Sequence, residues 1–261
     1  MKNNRSISNK TLKWIKKLFA DAKYRHENNL AVAEGKKVFS TIINYINRQQ
    51  IKSIIVTNDF FLANKKLLAN YTNLLYFCPS KLFKTISHLK TPEGIISIIQ
   101  PNKGNIVYSN SANYLAVYNL QNPNNLGSLI RSCLAFNIEN LFLIGNCCDI
   151  YHPDTIRSSM GYVFGINVQK FNNLDYFFSL VKINKLQLIA LANTTNATKI
   201  YEYKNKINNC FLIGNEANGL PNNILKKCQT IIKIPLNKNV DSLNASVAAS
   251  IVAFYLNYAN N

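Results

Sequence analysis

Residues 231–256 read IIKIPLNKNVDSLNASVAASIVAFYL. The opening IIKI has the composition of a buried strand, Pro235 ends it, and a polar loop runs on to Ser242, a residue type that favours helix N-caps. After Ser242, Leu243, Val247, Ile251, Phe254 and Tyr258 recur at helical spacing, so the loop is held between a strand and an amphipathic helix. Ser242, Leu243 and Asn244 therefore fall at a helix N-terminus, where unbonded backbone N–H groups gather.

A strand, a polar loop and a capped helix describe most α/β units, so the weight comes from what precedes them. Between 114 and 234 the chain alternates. Strands are predicted at 114–118, 140–144, 163–168, 186–192, 210–213 and 231–234, with helices at 125–136, 154–160, 174–183 and 222–227. Strands separated by helices imply a mostly parallel sheet covered on both faces, with ligands at the carboxyl ends of its strands. Two segments stand at such ends. In NPNNLGSLIRSCLAFNIENLFLIG, residues 122–145, Asn125 is a candidate helix cap, and Arg131 follows it nearly two turns on. In CFLIGNEANGLP, residues 210–221, a buried strand ends at Gly214 and a tight loop carries Glu216 ahead of Pro221. A carboxylate there has little structural purpose unless paired, so structural and functional readings of Glu216 both stand. For Arg131 the alternative is a surface salt bridge or a phosphate contact, and for Asn125 the cap alone.

The first hundred residues read as a smaller α/β/α unit. A basic helical stretch over 11–26 places Leu12, Ile15, Leu18 and Phe19 on one side and Lys13, Lys16, Lys17, Lys23 and Arg25 around the rest. A second helix is predicted over 30–46, a strand at 54–56, helices at 60–69 and 80–88, and a closing strand at 94–100. Trp14 among the lysines is either a base-stacking residue or, the favoured reading, an anchor packed on the next element. Residues 101–113, PNKGNIVYSNSAN, read as a linker.

Charge narrows the partners. The chain has a net charge of +18, and residues 1–105 hold 18 of its 30 Lys/Arg against 5 of its 12 Asp/Glu. A polyanion is the leading partner, because lysine and arginine contacts to phosphate release counterions; the alternative is a lysine- and asparagine-rich solvated surface. Six scattered cysteines form no CxxC pair and no Cys/His ligand spacing, which argues for ordinary reduced thiols and no metal. No apolar run reaches the roughly 18 residues of a membrane span, and the basic start lacks a signal peptide's apolar run, so a cytoplasmic protein is expected.

Three patterns now stand in order: NxGxxxR at Asn125, Gly127 and Arg131; GNExxGL at Gly214, Asn215, Glu216, Gly219 and Leu220; and SLNxS at Ser242, Leu243, Asn244 and Ser246. Together they resemble the SpoU (TrmH) family of the SPOUT RNA methyltransferases. Residues 23–38 and 90–99 are similar to the substrate-binding domain that precedes the catalytic domain in many members. The resemblance implies an RNA-binding domain over 1–100, a linker over 101–113, and a catalytic SPOUT α/β domain over 114–261 whose carboxy-terminal segment forms a trefoil knot. It implies methyl transfer from S-adenosylmethionine to a ribose 2′-hydroxyl of RNA, with Gly214, Ile234 and Leu243 giving backbone contacts to the cofactor. It further implies Arg131 as the catalytic arginine, with Asn125, Glu216, Ser242 and Asn244 positioning it and the ribose, and a homodimer to which the last helix is a candidate contributor. Large-subunit (23S) ribosomal RNA is the expected substrate; transfer RNA, or a non-catalytic RNA-binding or ribosome-assembly role, is the alternative. A dinucleotide enzyme has only the α/β alternation behind it, since the chain lacks GxGxxG. Asn137 stands where the family usually has glycine, which calls for a positive φ. Arg157 and Ser158 are further candidates for an RNA phosphate.

Overall fold

The chain opens with a short strand, β1 (Arg5–Ser6), and with two helices where the sequence predicts one, α1 (Asn9–Ala20) and α2 (Ala22–Asn28). Asp21 makes the break: its N–H donates to the Lys17 carbonyl and closes α1, while its carboxylate accepts from the Tyr24 N–H at 2.9 Å and caps α2. The structure, a computed structural model, describes residues 5–102, 106, 108–109, 112–204, 208–215 and 218–258. Two units emerge, Met1–Lys103 with Asp149–Gly165, and Gly104–Cys148 with Ile166–Asn261.

In the first unit the helix expected over 30–46 is instead strand β2 (Ala31–Glu34) followed by α3 (Lys36–Ile42). Gly35 turns the chain between them at φ 108°, a conformation strained for any residue with a Cβ. The helical spacing of Val32 and Val38 concealed that all four residues of AVAE are buried. β3 (Ile51–Val56), α4 (Asn58–Ala63), α5 (Lys65–Leu68), β4 (Leu75–Phe77), α6 (Ser80–Ile86) and β5 (Ile95–Ile99) complete a five-stranded sheet ordered β1-β4-β3-β5-β2. Its alternation feeds two cores: Ile55, Ile96 and Ile98 meet Leu12, Ile15, Leu18 and Phe83 on one face, and Ile54, Val56 and Ile95 meet Phe39, Phe60 and Leu68 on the other. Trp14 packs against the first of these, as an anchor would.

The second unit begins with β6 (Tyr114–Tyr118), α7 (Pro123–Ala135) and β7 (Asn140–Ile144). Asn137, after α7, takes the expected positive φ, 57°. The chain then contributes α8 (Pro153–Ser158) to the first unit, although the sequence assigns these residues to the catalytic domain. There Arg25, only 2% exposed rather than on the polar surface, donates from Nη2 and Nε to the Asp149 carboxylate at 2.6 and 3.1 Å and from Nη1 to the Leu18 carbonyl at 2.7 Å. The three histidines gather beside the same segment: His26 lies 3.3 Å from Asp149, and His88 and His152 lie 3.4 and 3.8 Å from Asp154.

A helical turn at Tyr162–Phe164 replaces the first half of the strand expected at 163–168, and β8 (Asn167–Phe171) starts later. α9 (Leu174–Ile183), β9 (Gln187–Leu191), β10 (Thr198–Lys199), β11 (Asn209–Ile213), α10 (Asn222–Leu225), β12 (Thr230–Lys233) and α11 (Ala245–Tyr258) follow. The seven strands are all parallel, in the order β10-β12-β9-β11-β6-β7-β8. Tyr114, Phe142, Phe171, Phe177 and Leu212 fill one face, while Leu115, Leu143, Phe211 and Ile213 alternate with them along the strands and are also buried. One connection matters for the site. Leu191 of β9 and Thr198 of β10 both pair with Ile232, from opposite sides, so residues 192–197 cross the carboxyl end of β12.

Candidate active site

The carboxyl ends of β9, β11 and β12, with the start of α11, enclose a cavity of about 360 Å³ in the second unit. Its walls are Leu191 of β9 with Ala192 and Asn193 just after it, Ile213 of β11 with Gly214, Asn215 and Gly219 of the loop that follows, and Lys233 of β12 with Ile234, Leu236, Asp241–Leu243, Ala245 and Ala248 beyond it. Gly214, Ile234 and Leu243, the expected cofactor contacts, all line it, and so does Ser242.

Sequence chemistry explains the walls. A Cβ on Gly214 would lie 2.2 Å from the Gly219 carbonyl carbon and 2.3 Å from its oxygen, so only glycine lets the loop fold back this closely. The loop is tied by the Asn215 side chain, which accepts from the Asn218 N–H at 2.8 Å, and by the Gly219 N–H donating to the Asn215 carbonyl at 3.0 Å. Glu216 lies outside the described residues.

The caps differ from expectation. Asn122, not Asn125, caps α7, its side chain accepting from Asn124 and Asn125 N–H groups with Pro123 at the first helical position. Asn244, not Ser242, caps α11: its Oδ1 accepts from the Ser246 N–H at 2.9 Å, and its carbonyl takes the Ala248 N–H. Both shifts have one result. With α7 capped by Asn122 and α11 by the oxygen of Asn244, the Asn125 Oδ1 accepts from the Asn244 Nδ2 at 3.1 Å, joining the starts of α7 and α11. Six residues beyond Asn125 on α7, Arg131 is exposed and does not line the cavity. Its neighbour Ser132 meets Ser250 of α11 at 2.7 Å between hydroxyl oxygens.

The family model described as the SpoU rRNA methylase family matches residues 112–254, more than half of the chain. The chain belongs to this family. In this SpoU-family protein residues 9–97 also match an MRM3-like substrate binding domain. An uncharacterized tRNA/rRNA methyltransferase, MG252 homolog, from Mycoplasma pneumoniae is 29% identical over 169 residues, 64% of this chain and 66% of that one. The 23S rRNA (guanosine(2553)-2′-O)-methyltransferase RlmP of Bacillus subtilis is 23% identical over 98% of this chain and 99% of its own. The AdoMet-bound rRNA methyltransferase from Sinorhizobium meliloti superposes with a TM-score of 0.82 at 24% identity, covering 97% of this chain and 95% of that one. The α/β fold with its parallel sheet is thus shared with known SpoU methyltransferases.

Of the residues singled out in the SpoU-family sequence, the structure joins Asn125 to Asn244 and gathers Ser242, Leu243, Gly214 and Ile234 around one cavity. It sets Arg157 against Asp154 at 2.9 Å and Ser158 against the Asp154 carbonyl at 2.6 Å, local bonds within α8. Sequence reading missed Leu191, Ala192, Asn193, Lys233 and Asp241. The carboxyl end of β9, one strand from β11, was the available signal. Among the described residues no helix is long and apolar enough to cross a membrane, and no group of three or more His, Cys, Asp and Glu could hold a metal ion.

Proposed function

We propose that this SpoU-family enzyme methylates a ribose 2′-hydroxyl of large-subunit ribosomal RNA in the cytoplasm, with S-adenosylmethionine as donor. The observation that carries the reading is one cavity lined by Gly214, Ile234 and Leu243 and by the start of α11, whose cap Asn244 is joined to Asn125 of α7. Its volume is that of a small-molecule pocket, about 300–1,000 Å³, and Gly214, where a Cβ would strike the Gly219 backbone, lets the 214–219 loop fold tightly in its wall. S-adenosylmethionine supplies an activated methyl group that needs no metal. The protein's part is to present the hydroxyl in line and to ease loss of its proton. Gly214, Ile234 and Leu243 hold the donor through backbone groups, while Asn125, Ser242, Asn244 and Glu216 orient the ribose and Arg131. A guanidinium is a poor proton acceptor but a strong anion partner, so Arg131 stabilises the developing 2′-oxyanion rather than taking its proton.

The segment after β12 passes the loop over 192–197 as a trefoil knot in this reading, which brings Ser242–Asn244 back to strands laid down earlier in the chain. The enzyme works as a homodimer, with Val247, Phe254 and Tyr258 of α11, each about half exposed in one protomer, covered by the second copy together with Phe136, whose ring meets Phe254 edge-on at 5.6 Å. The test is transfer of labelled methyl from S-adenosylmethionine into size-fractionated total RNA, with Arg131→Ala alongside. Label in 23S RNA that vanishes in the variant is expected. Label in transfer RNA overturns the substrate, and RNA binding with no label anywhere overturns the enzyme.

A further inference from the structure

Lys233 is the last residue of β12 and lies at two places at once, in the wall of the cavity and beneath the loop that crosses the strand. Its ammonium donates to the Thr194 carbonyl at 3.1 Å and lies 3.4 Å from the Thr195 carbonyl. We propose that Lys233 is a positioning residue for the methyl donor, clasping the crossing loop so that Ala192 and Asn193 stand as a wall of the cavity. The proposal rests on the function assigned to that cavity above.

Three observations support it. The loop enters bound to β12 through the Ala192 N–H and the Ile232 carbonyl, 3.0 Å, and among the described residues two further backbone bonds lie within it: Thr194 N–H to the Ala192 carbonyl, and Ala197 N–H to the Thr194 carbonyl. Among the described residues the Thr194 hydroxyl is buried with no hydrogen-bond partner, so the side chain does not tie Thr194 to β12 and the Lys233 bond to its carbonyl does. An ammonium shared by two carbonyls is a charge-assisted tie, stronger than a neutral one.

The experiment uses the full chain with Lys233→Met, which keeps the stem and removes the donor, and Lys233→Arg, which keeps donors. Calorimetry measures S-adenosylmethionine binding, and amide hydrogen exchange is followed across residues 192–197 without ligand. Lys233→Met is expected to weaken binding about tenfold and to speed exchange in the loop, and Lys233→Arg to restore both to within about threefold. Binding of the Met variant within twofold of the unsubstituted chain overturns the proposal. So does weakened binding with unchanged exchange, which would make Lys233 a direct ligand of the donor. If the unsubstituted chain does not bind S-adenosylmethionine, the assigned function falls, while the exchange result still decides whether the clasp exists.

Discussion

At the residue scale, Asn244 combines two duties that chemistry can separate. Its oxygen caps α11 and its amide nitrogen reaches Asn125. Asn244→Asp keeps the acceptor and loses the donor, so it should hold thermal stability within about 0.5 kcal/mol while methyl transfer falls at least tenfold; Asn244→Ala should lose about 1 kcal/mol as well. Thermal unfolding beside single-turnover rates checks both. Gly214→Ala offers no such separation, because the clash is with backbone: donor binding by calorimetry should fall at least about 100-fold. Glu34 gives a pH signature. Burial pushes its carboxyl above the usual range, against the lowering effect of hydrogen bonds from the Ser87 hydroxyl and the His88 N–H. Because the folded state then binds its proton more tightly than the unfolded chain, this contribution favours folding at low pH and fades as pH rises through the raised value. Wild type should therefore gain on Glu34→Gln, in urea unfolding, as pH is lowered from neutral through the raised value into the ordinary carboxylate range.

At the scale of elements, the segment leading into α8 is held to the first unit by the buried Asp149–Arg25 ion pair, and Arg25 also satisfies the end of α1. Removing one member strands the other charge, so Asp149→Ala should cost about 3–5 kcal/mol in urea unfolding. Residues 1–103 expressed alone carry the same defect and should be far less stable than the full chain. The sequence showed the large periodic features: the strands at 114–118 and 140–144 and the helix at 174–183 form over the residues expected. It did not show β2, because AVAE next to a helix shares the helix's spacing and only Gly35 marks the change. Nor did it show that Arg25 turns inward, since burial of a charge depends on a partner 124 residues away. In the site, the loop chemistry of Gly214 and the SLN segment was legible locally. Which residue caps each helix was not, because Asn122 and Asn125, or Ser242 and Asn244, are equally good caps until the chain's path chooses one.

For the whole molecule, the excess of basic residues in the first 105 predicts salt-sensitive RNA binding. A plot of log affinity against log salt steeper than about −4, equivalent to roughly five or more phosphates neutralised, is expected for a phosphate-reading surface; a slope near zero would leave the charge as a solvated face. Phe254→Asp should shift sedimentation from dimer to monomer if α11 is the shared helix. The order in which the cavity walls occur along the chain has a further consequence. Asn193 leaves the ribosome about fifty-five residues before Ala248, an interval of roughly 3–10 s at ordinary elongation speeds. Throughout it the basic N-terminal residues are already made, so the nascent chain can take hold of RNA before it has any place to keep a methyl donor.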